Sequence, residues 1–266
     1  MSQPESLPGA PSAFRFGAII IGDEILSGKR QDRHMAKAVE TLKTRGLDLV
    51  WCQYLGDDPE LITATLERTF AGEDVVFSFG GIGATPDDHT RQCAARAAGV
   101  DLVLHPEAEA EIRARFNNDP AAITPQRLAM GEFPAGSEII PNPINRIPGF
   151  SFRRHHFLPG FPEMAWPMLG WVLDTRYTQC FAPGRVAESS IIVRGAGESQ
   201  LIVLMNECLA AHRRVKVFSL PRMDPGDRHI ELGVRGDPSE VTMAIAVLKS
   251  GVTALGFSWS DHKAPG

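Results

Sequence analysis

Gly80, Gly81 and Gly83 follow the apolar run "DVVFSF" and precede Thr85, Pro86 and the adjacent acids Asp87 and Asp88, in the stretch "SFGGIGATPDDHT" at 78–90. Glycines at this spacing permit positive φ and let a backbone approach a ligand closely. Thr85 suits a helix cap and Pro86 a first helical turn, so the pattern predicts a strand passing through a tight loop into a helix over about 86–98. Exposed amides at such a helix start favour an anion, most naturally a phosphate. Asp88 has two readings. As structure, it completes a variant capping arrangement with Thr85 near a helix N-terminus. As chemistry, it holds a magnesium ion or a ligand hydroxyl at the loop edge.

A second loop, "GDEILSGKRQDRH" at 22–34, gathers Asp23, Glu24 and Asp32 with Lys29, Arg30, Arg33 and His34 after Gly22. Carboxylates there suit a hard cation and the basic groups a phosphate. The alternative is a solvated charged face with Asp32 capping a helix and His34 structural or solvent-facing. Other chemistries lack their signatures. The glycines follow the third strand and not the first, unlike a dinucleotide fingerprint, and no Lys-Ser or Lys-Thr follows them as in a Walker loop. No G-x-S-x-G elbow occurs. His155 and His156 are adjacent, so on a strand they point to opposite faces and do not share a metal.

These loops need elements to hold them. "FRFGAIII" reads as a buried strand, and the segment at 33–45 as a helix with Met35, Val39 and Leu42 on its inner face, stopped by Gly46. "LDLVWCQYL" reads as a second strand, Pro59 to Phe70 as a helix burying Ile62, Leu66 and Phe70, and 74–80 as a third strand. Alternation at this spacing predicts an α/β three-layer domain with a mostly parallel sheet, its ligand loops at the strand C-termini. "DLVLHP" suggests a further short strand. "FRRHHFLPGFPEMAWPML" suggests a strand leading into a last helix, and closes this domain at 14–173. Residues 183–260 have another rhythm: strand, helix, strand, strand, helix and a closing strand at "TALGFSW", which predicts a small α+β sandwich.

Composition bounds the rest. The chain has 266 residues, 43% hydrophobic and 22% charged, with a formal charge of −5. That balance opposes general attraction to nucleic acid, and the single dense basic cluster, "FRRHHF", is short. No apolar run is long enough to span a membrane, and "MSQPESLPGAPSA" reads as a loose tail without signal-peptide character, so a cytoplasmic location is expected. Cys52, Cys93, Cys180 and Cys208 form no C-x-x-C pair and read as reduced thiols.

Taken in order, "IIIGDEILSG", "YLGDD", "SFGGIGATPDDHT", "RLAMGEFPAGSEIIPNPINRIPGF" and "HHFLPGFPEMAWPM" resemble the molybdopterin-binding (MoaB/Mog-like) domain family. The branch most similar is the N-terminal part of competence/damage-inducible protein A and of eukaryotic FAD synthases, over about residues 15–173. The resemblance implies a glycine loop facing a phosphorylated pterin-like ligand, with molybdopterin as cofactor. It places Gly22, Asp23 and Glu24 in the acidic turn after the first strand, Gly80, Gly81 and Gly83 in the phosphate-facing loop, and Asp88 and Thr90 just beyond. It also implies a metal-dependent pyrophosphatase as the alternative, acting on ADP-ribose or a related nucleotide diphosphate. There Asp23, Glu24 and Asp88 position a divalent cation such as Mg2+, with Asp88 and Asp23 catalytic. A homo-oligomer, dimer or trimer, is expected by the same resemblance. The sequence departs from the branch at Ala84, where proline is common, and at "RQDRH", which replaces an Asn-Thr-Asn-like stretch. Neither nicotinamide-mononucleotide deamidation nor FAD synthesis is expected, because in those relatives they belong to an additional deamidase and an adenylyltransferase domain that the resemblance does not include.

Overall fold

The computed structural model describes residues 14–224 and 227–262; the N-terminal segment expected to be a tail lies outside them. The chain divides into two compact units after Phe181.

The first unit begins β1 (Phe16–Ile21), α1 (Asp23–Leu26), α2 (His34–Lys43), β2 (Leu49–Leu55), α3 (Pro59–Phe70), β3 (Val75–Phe79) and α4 (Thr90–Ala98). It continues with β4 (Leu102–Leu104), α5 (Pro106–Arg115), α6 (Pro125–Ala129), β5 (Glu132–Pro134), β6 (Glu138–Ile140), β7 (Gly149–Phe152), β8 (His155–Leu158) and α7 (Pro162–Arg176). The main sheet runs β2-β1-β3-β8-β7-β6. Its first four strands are parallel, and β7 and β6 extend it antiparallel. β4 pairs only with β5, apart from this sheet.

Alternation along β1 explains the layers. Phe16, Ala18 and Ile20 pack with α2 and α7, while Ile19 and Ile21 pack with α3, α4 and α5. Both faces are therefore dry, as a parallel sheet requires. Asp58 caps α3 by accepting from the amides of Glu60 and Leu61, and Pro59 occupies the first turn. Ile62, Leu66 and Phe70 then face the core as expected.

The inner face of α2 differs from the expectation. Leu42 is buried, but Met35 and Val39 are exposed, and His34, Ala38 and Thr41 take the inner positions. Small Ala38 lets the helix sit close on the sheet, and His34 becomes tolerable inside because a carbonyl accepts from its ring.

The segment "FRRHHF" is also not one strand. Arg153 and Arg154 form the turn between β7 and β8, and both histidines are buried on opposite faces of β8. His155 Nε2 donates to Thr69 Oγ1 at 2.9 Å, the Thr69 hydroxyl itself donating to the Thr65 carbonyl. His156 is held by Ser151 Oγ at 2.8 Å and Tyr177 OH at 2.7 Å. Residue 173 falls inside α7, and the unit continues to Tyr177 and Cys180, both buried in its core.

The second unit is β9 (Ala187–Arg194), α8 (Glu198–Ala211), β10 (Val215–Asp224), β11 (Asp227–Gly236), α9 (Pro238–Ala254) and β12 (Ser258–Asp261). Its antiparallel sheet runs β10-β11-β9-β12. Ile230, Leu232 and Val234 alternate into the core against Val241, Ala244, Ile245 and Leu248 of α9. "TALG" belongs to the end of α9 and the turn after it, so the closing strand starts later than its composition suggested. All four cysteines are free thiols.

Candidate functional site

At the C-terminal ends of β1, β3 and β8 lies a cleft of about 390 Å³, within the usual range for a small-molecule site. Residues 80–85 form one wall, and Asn142, Asn145, Pro159, Gly160 and Phe161 the other. Glu24, Arg30, Asp57, Asp87 and Asp88 supply its charge.

The helix after the glycine loop starts four residues later than expected, at Thr90. Thr85 therefore caps nothing. Asp88 Oδ2 accepts from the Thr85 amide at 2.8 Å and from its hydroxyl, and the Asp88 amide returns to the Thr85 carbonyl at 3.0 Å. One half of the capping arrangement is present without the helix it would cap. The prolonged loop leaves the amides of Gly81, Ile82, Gly83 and Ala84 without a hydrogen bond among the described residues. These residues line the cleft, so the anion site is a run of loop amides in place of a helix terminus.

Thr90 is buried and turned inward. Its amide donates to the Gly81 carbonyl at 2.9 Å and its hydroxyl to the Gly80 carbonyl at 3.1 Å, so it holds the loop from behind. Packing and backbone conformation require glycine at 80 and 81, while Gly83 meets only the end of the Asp88 side chain. A Cβ on Gly80 would lie 2.3 Å from the Ile21 carbonyl oxygen, on Gly81 2.2 Å from Thr90 Oγ1, and on Gly83 2.7 Å from Asp88 Oδ2. Gly80 and Gly81 also adopt φ of +102° and +68°.

The acidic turn separates into two environments. Glu24 faces the cleft and lies against Gly22, whose Cβ position is 2.7 Å from Glu24 Oε2. Asp23 does not line the cleft. Its Oδ1 accepts from the Asp57 amide at 3.2 Å while Asp57 Oδ2 accepts from the Asp23 amide at 2.8 Å, a reciprocal tie between the loops after β1 and β2. Burial pushes the Asp57 carboxyl up, and Asp23, Glu24 and Asp87 add to that shift, partly offset by the Asp23 amide. Among the described residues no three His, Cys, Asp or Glu side chains are grouped to hold a metal ion, so Asp23, Glu24 and Asp88 do not form such a group.

Two supports of the site emerge from the fold: His34, for which the sequence allowed a structural role, and Arg91, which it did not single out. His34 Nε2 donates to the Gly160 carbonyl at 3.1 Å, and its ring stacks on Phe79 with centroids 4.7 Å apart. Burial lowers its pKa, and the carbonyl fixes the proton on Nε2. Gly160 in turn lies against Gly80, so His34 sets the far wall of the cleft. Arg91 is the second support. It is 3% exposed and donates from Nη2 to the Gly83 carbonyl at 2.8 Å and from Nη1 to the Ala129 carbonyl. Only the fold reveals either, because neither has a local sequence signature. Asp32 behaves as its capping reading required, accepting from the amides of His34 and Met35. Asn142 and Asn145 line the cleft, but their side chains bond within residues 142–147 and to Met164.

Residues 17–178 match the family described as "Probable molybdopterin binding domain". The chain belongs to the molybdopterin-binding domain family. A protein of Caldivirga maquilingensis is 30% identical over 201 residues, covering 74% of this chain and 77% of its own length. A "CinA-like protein" of Geobacter metallireducens is 38% identical over 215 residues, 81% of this chain but 46% of that protein, so the chain spans about half of that relative. Among solved structures, the crystal structure of the protein CinA with unknown function from Thermoplasma acidophilum matches with TM-score 0.55 and 29% identity, over 61% of this chain and 97% of that one. Membership in the molybdopterin-binding domain family thus covers the unit that holds the cleft, together with a relation to the CinA-like proteins. No helix among the described residues is long and apolar enough to cross a membrane.

Proposed function

We propose that the first unit binds a phosphorylated pterin-like ligand of the molybdopterin type in the cleft beyond β1, β3 and β8. The observation that carries this reading is the run of unpaired amides at Gly81–Ala84 along a cleft with mixed apolar and acidic walls. Those amides suit phosphate oxygens. Ile82, Ile147, Met164 and Phe161 offer flat apolar surface to a ring, and Glu24 and Asp57 offer acceptors to ring N–H and amino groups. Molybdopterin, when bound, supplies the dithiolene that carries the metal; the chain's own residues hold its phosphate and ring.

The alternative, cation-dependent cleavage of ADP-ribose or a related nucleotide diphosphate, asks Asp23, Glu24 and Asp88 to converge on a cation. Asp23 is tied to the Asp57 amide and Asp88 to Thr85, which supports binding over turnover. Purified protein titrated with molybdopterin is expected to give saturable binding, while ADP-ribose with Mg2+ is expected to release no AMP. AMP release by the wild type that disappears in Asp88→Asn would overturn the binding reading in favour of the pyrophosphatase.

A further inference from the structure

We propose that Arg91 is the buried counter-charge of the amide cradle, a positioning residue that aims the loop amides into the cleft and offsets a phosphate or diphosphate from behind the loop. The inference rests on the phosphate reading of the cleft given above.

The geometry follows from the planarity of the peptide unit. In a trans peptide the carbonyl of one residue and the amide of the next point in opposite directions. The first two residues of α4 hold three carbonyls on the α4 side of the loop: Thr90 takes those of Gly80 and Gly81, and Arg91 takes that of Gly83. The amides of Gly81, Ile82 and Ala84 are thereby turned away from α4. Arg91 makes the last of these contacts, beyond the reach of Thr90.

Electrostatics sets Arg91 apart from an ordinary staple. The cleft is lined by four carboxylates and one exposed arginine, a balance that opposes an anion. Behind the loop sits a buried guanidinium that forms no ion pair among the described residues, with Nε also lacking a partner. Burial depresses its pKa, and Glu132 and then Asp88 are the acids that oppose that shift. A buried cation held only by carbonyls is unfavourable unless an anion comes near. An anion on the Gly81–Ala84 amides would sit one peptide layer from Arg91. The cradle and the buried charge therefore have the same complement.

The test uses inorganic pyrophosphate as probe, titrated calorimetrically into the full chain. Arg91→Lys keeps the charge and Arg91→Gln keeps a donor without it. Arg91→Gln is expected to weaken pyrophosphate roughly tenfold and Arg91→Lys by no more than about threefold. Glu132→Gln removes the acid that competes for Arg91 and is expected to tighten the probe about threefold, a gain that needs no variant at Arg91 to fold. Equal affinities across these proteins, or equal losses in the lysine and glutamine variants, overturn the counter-charge role while leaving the phosphate reading in place. A wild-type protein that does not bind pyrophosphate overturns the phosphate reading, and this inference with it.

Discussion

Acidification from pH 7.5 to pH 5 tests how the core of the first unit is built. His155 and His156 are both buried, and burial, the largest cause in each, lowers their pKa from 6.5 to about 3. Nearby arginines push the same way, Arg153 on His155 and Arg176 on His156. The unfolded chain therefore binds more protons than the folded one between about pH 3 and 6.5, so stability rises with pH through that window and is complete above it. At pH 5 each ring costs about 2 kcal/mol relative to pH 7.5, and the pair about 4 kcal/mol, as an order of magnitude. His34, also lowered by burial, adds in the same direction. Asp174, lowered by its bond to Arg45, loses its contribution only at more acid pH, whereas Asp57, raised by burial, acts against the histidines as pH falls, so the histidine share is read by comparing slopes with and without one ring. The assay is urea unfolding followed by tryptophan fluorescence in a Trp259→Phe background, which leaves Trp51, Trp166 and Trp171 to report on the first unit. His156→Gln in that background retains groups able to bond Ser151 and Tyr177 but does not titrate. It is expected to lower the slope of stability against pH by about 1.2 kcal/mol per pH unit near pH 5.5. An unchanged slope refutes the reasoning.

Three further outcomes are expected. Gly81→Ala places a Cβ against Thr90 Oγ1 at a positive φ and is expected to cost roughly 2–4 kcal/mol by urea unfolding. Gly136→Ala, with positive φ but open space, is its control at about 1–2 kcal/mol, and equal costs would mean that the Thr90 contact is unimportant. Asp58→Ala removes the α3 cap and is expected to lower stability by about 1 kcal/mol, checked by the same unfolding curves. β2 is an edge strand of seven residues without charge or proline, it exposes Val50 and Tyr54, and Tyr54 reaches exposed Met35. Such an edge favours self-association, so sedimentation equilibrium is expected to reveal a homo-oligomer, and a monomer at every concentration would refute that expectation.

The parallel core was legible because its signals are local. The apolar runs of β1 and β3 and the 3.6-residue spacing of Ile62, Leu66 and Phe70 depend on few distant contacts. The inner face of α2 was misread because periodicity ranks Met35 above His34, whereas a carbonyl from residue 160 decides the matter. The start of α4 was misread for a related reason. Thr85 and Pro86 are good helix-start residues, but Thr90, tied to Gly80 and Gly81, fixes where the helix begins. In the site, the glycine loop and its acids were legible by type. Arg91 was not, since an arginine within a helix ordinarily reads as solvent-facing, and its burial depends on carbonyls 8 and 38 residues away.

The crowding behind the glycine loop bears on how such a motif can be inherited. Side chains at 80 and 81 are refused by the Ile21 carbonyl and by buried Thr90, both parts of the chain itself, and by a positive φ. A descendant that had lost every ligand would still be held to glycine there for as long as it folded this way. Retention of "GG" at 80–81 thus records ancestry of the fold, and drift at an exposed cleft position such as Arg30 is where loss of the ligand would first become visible.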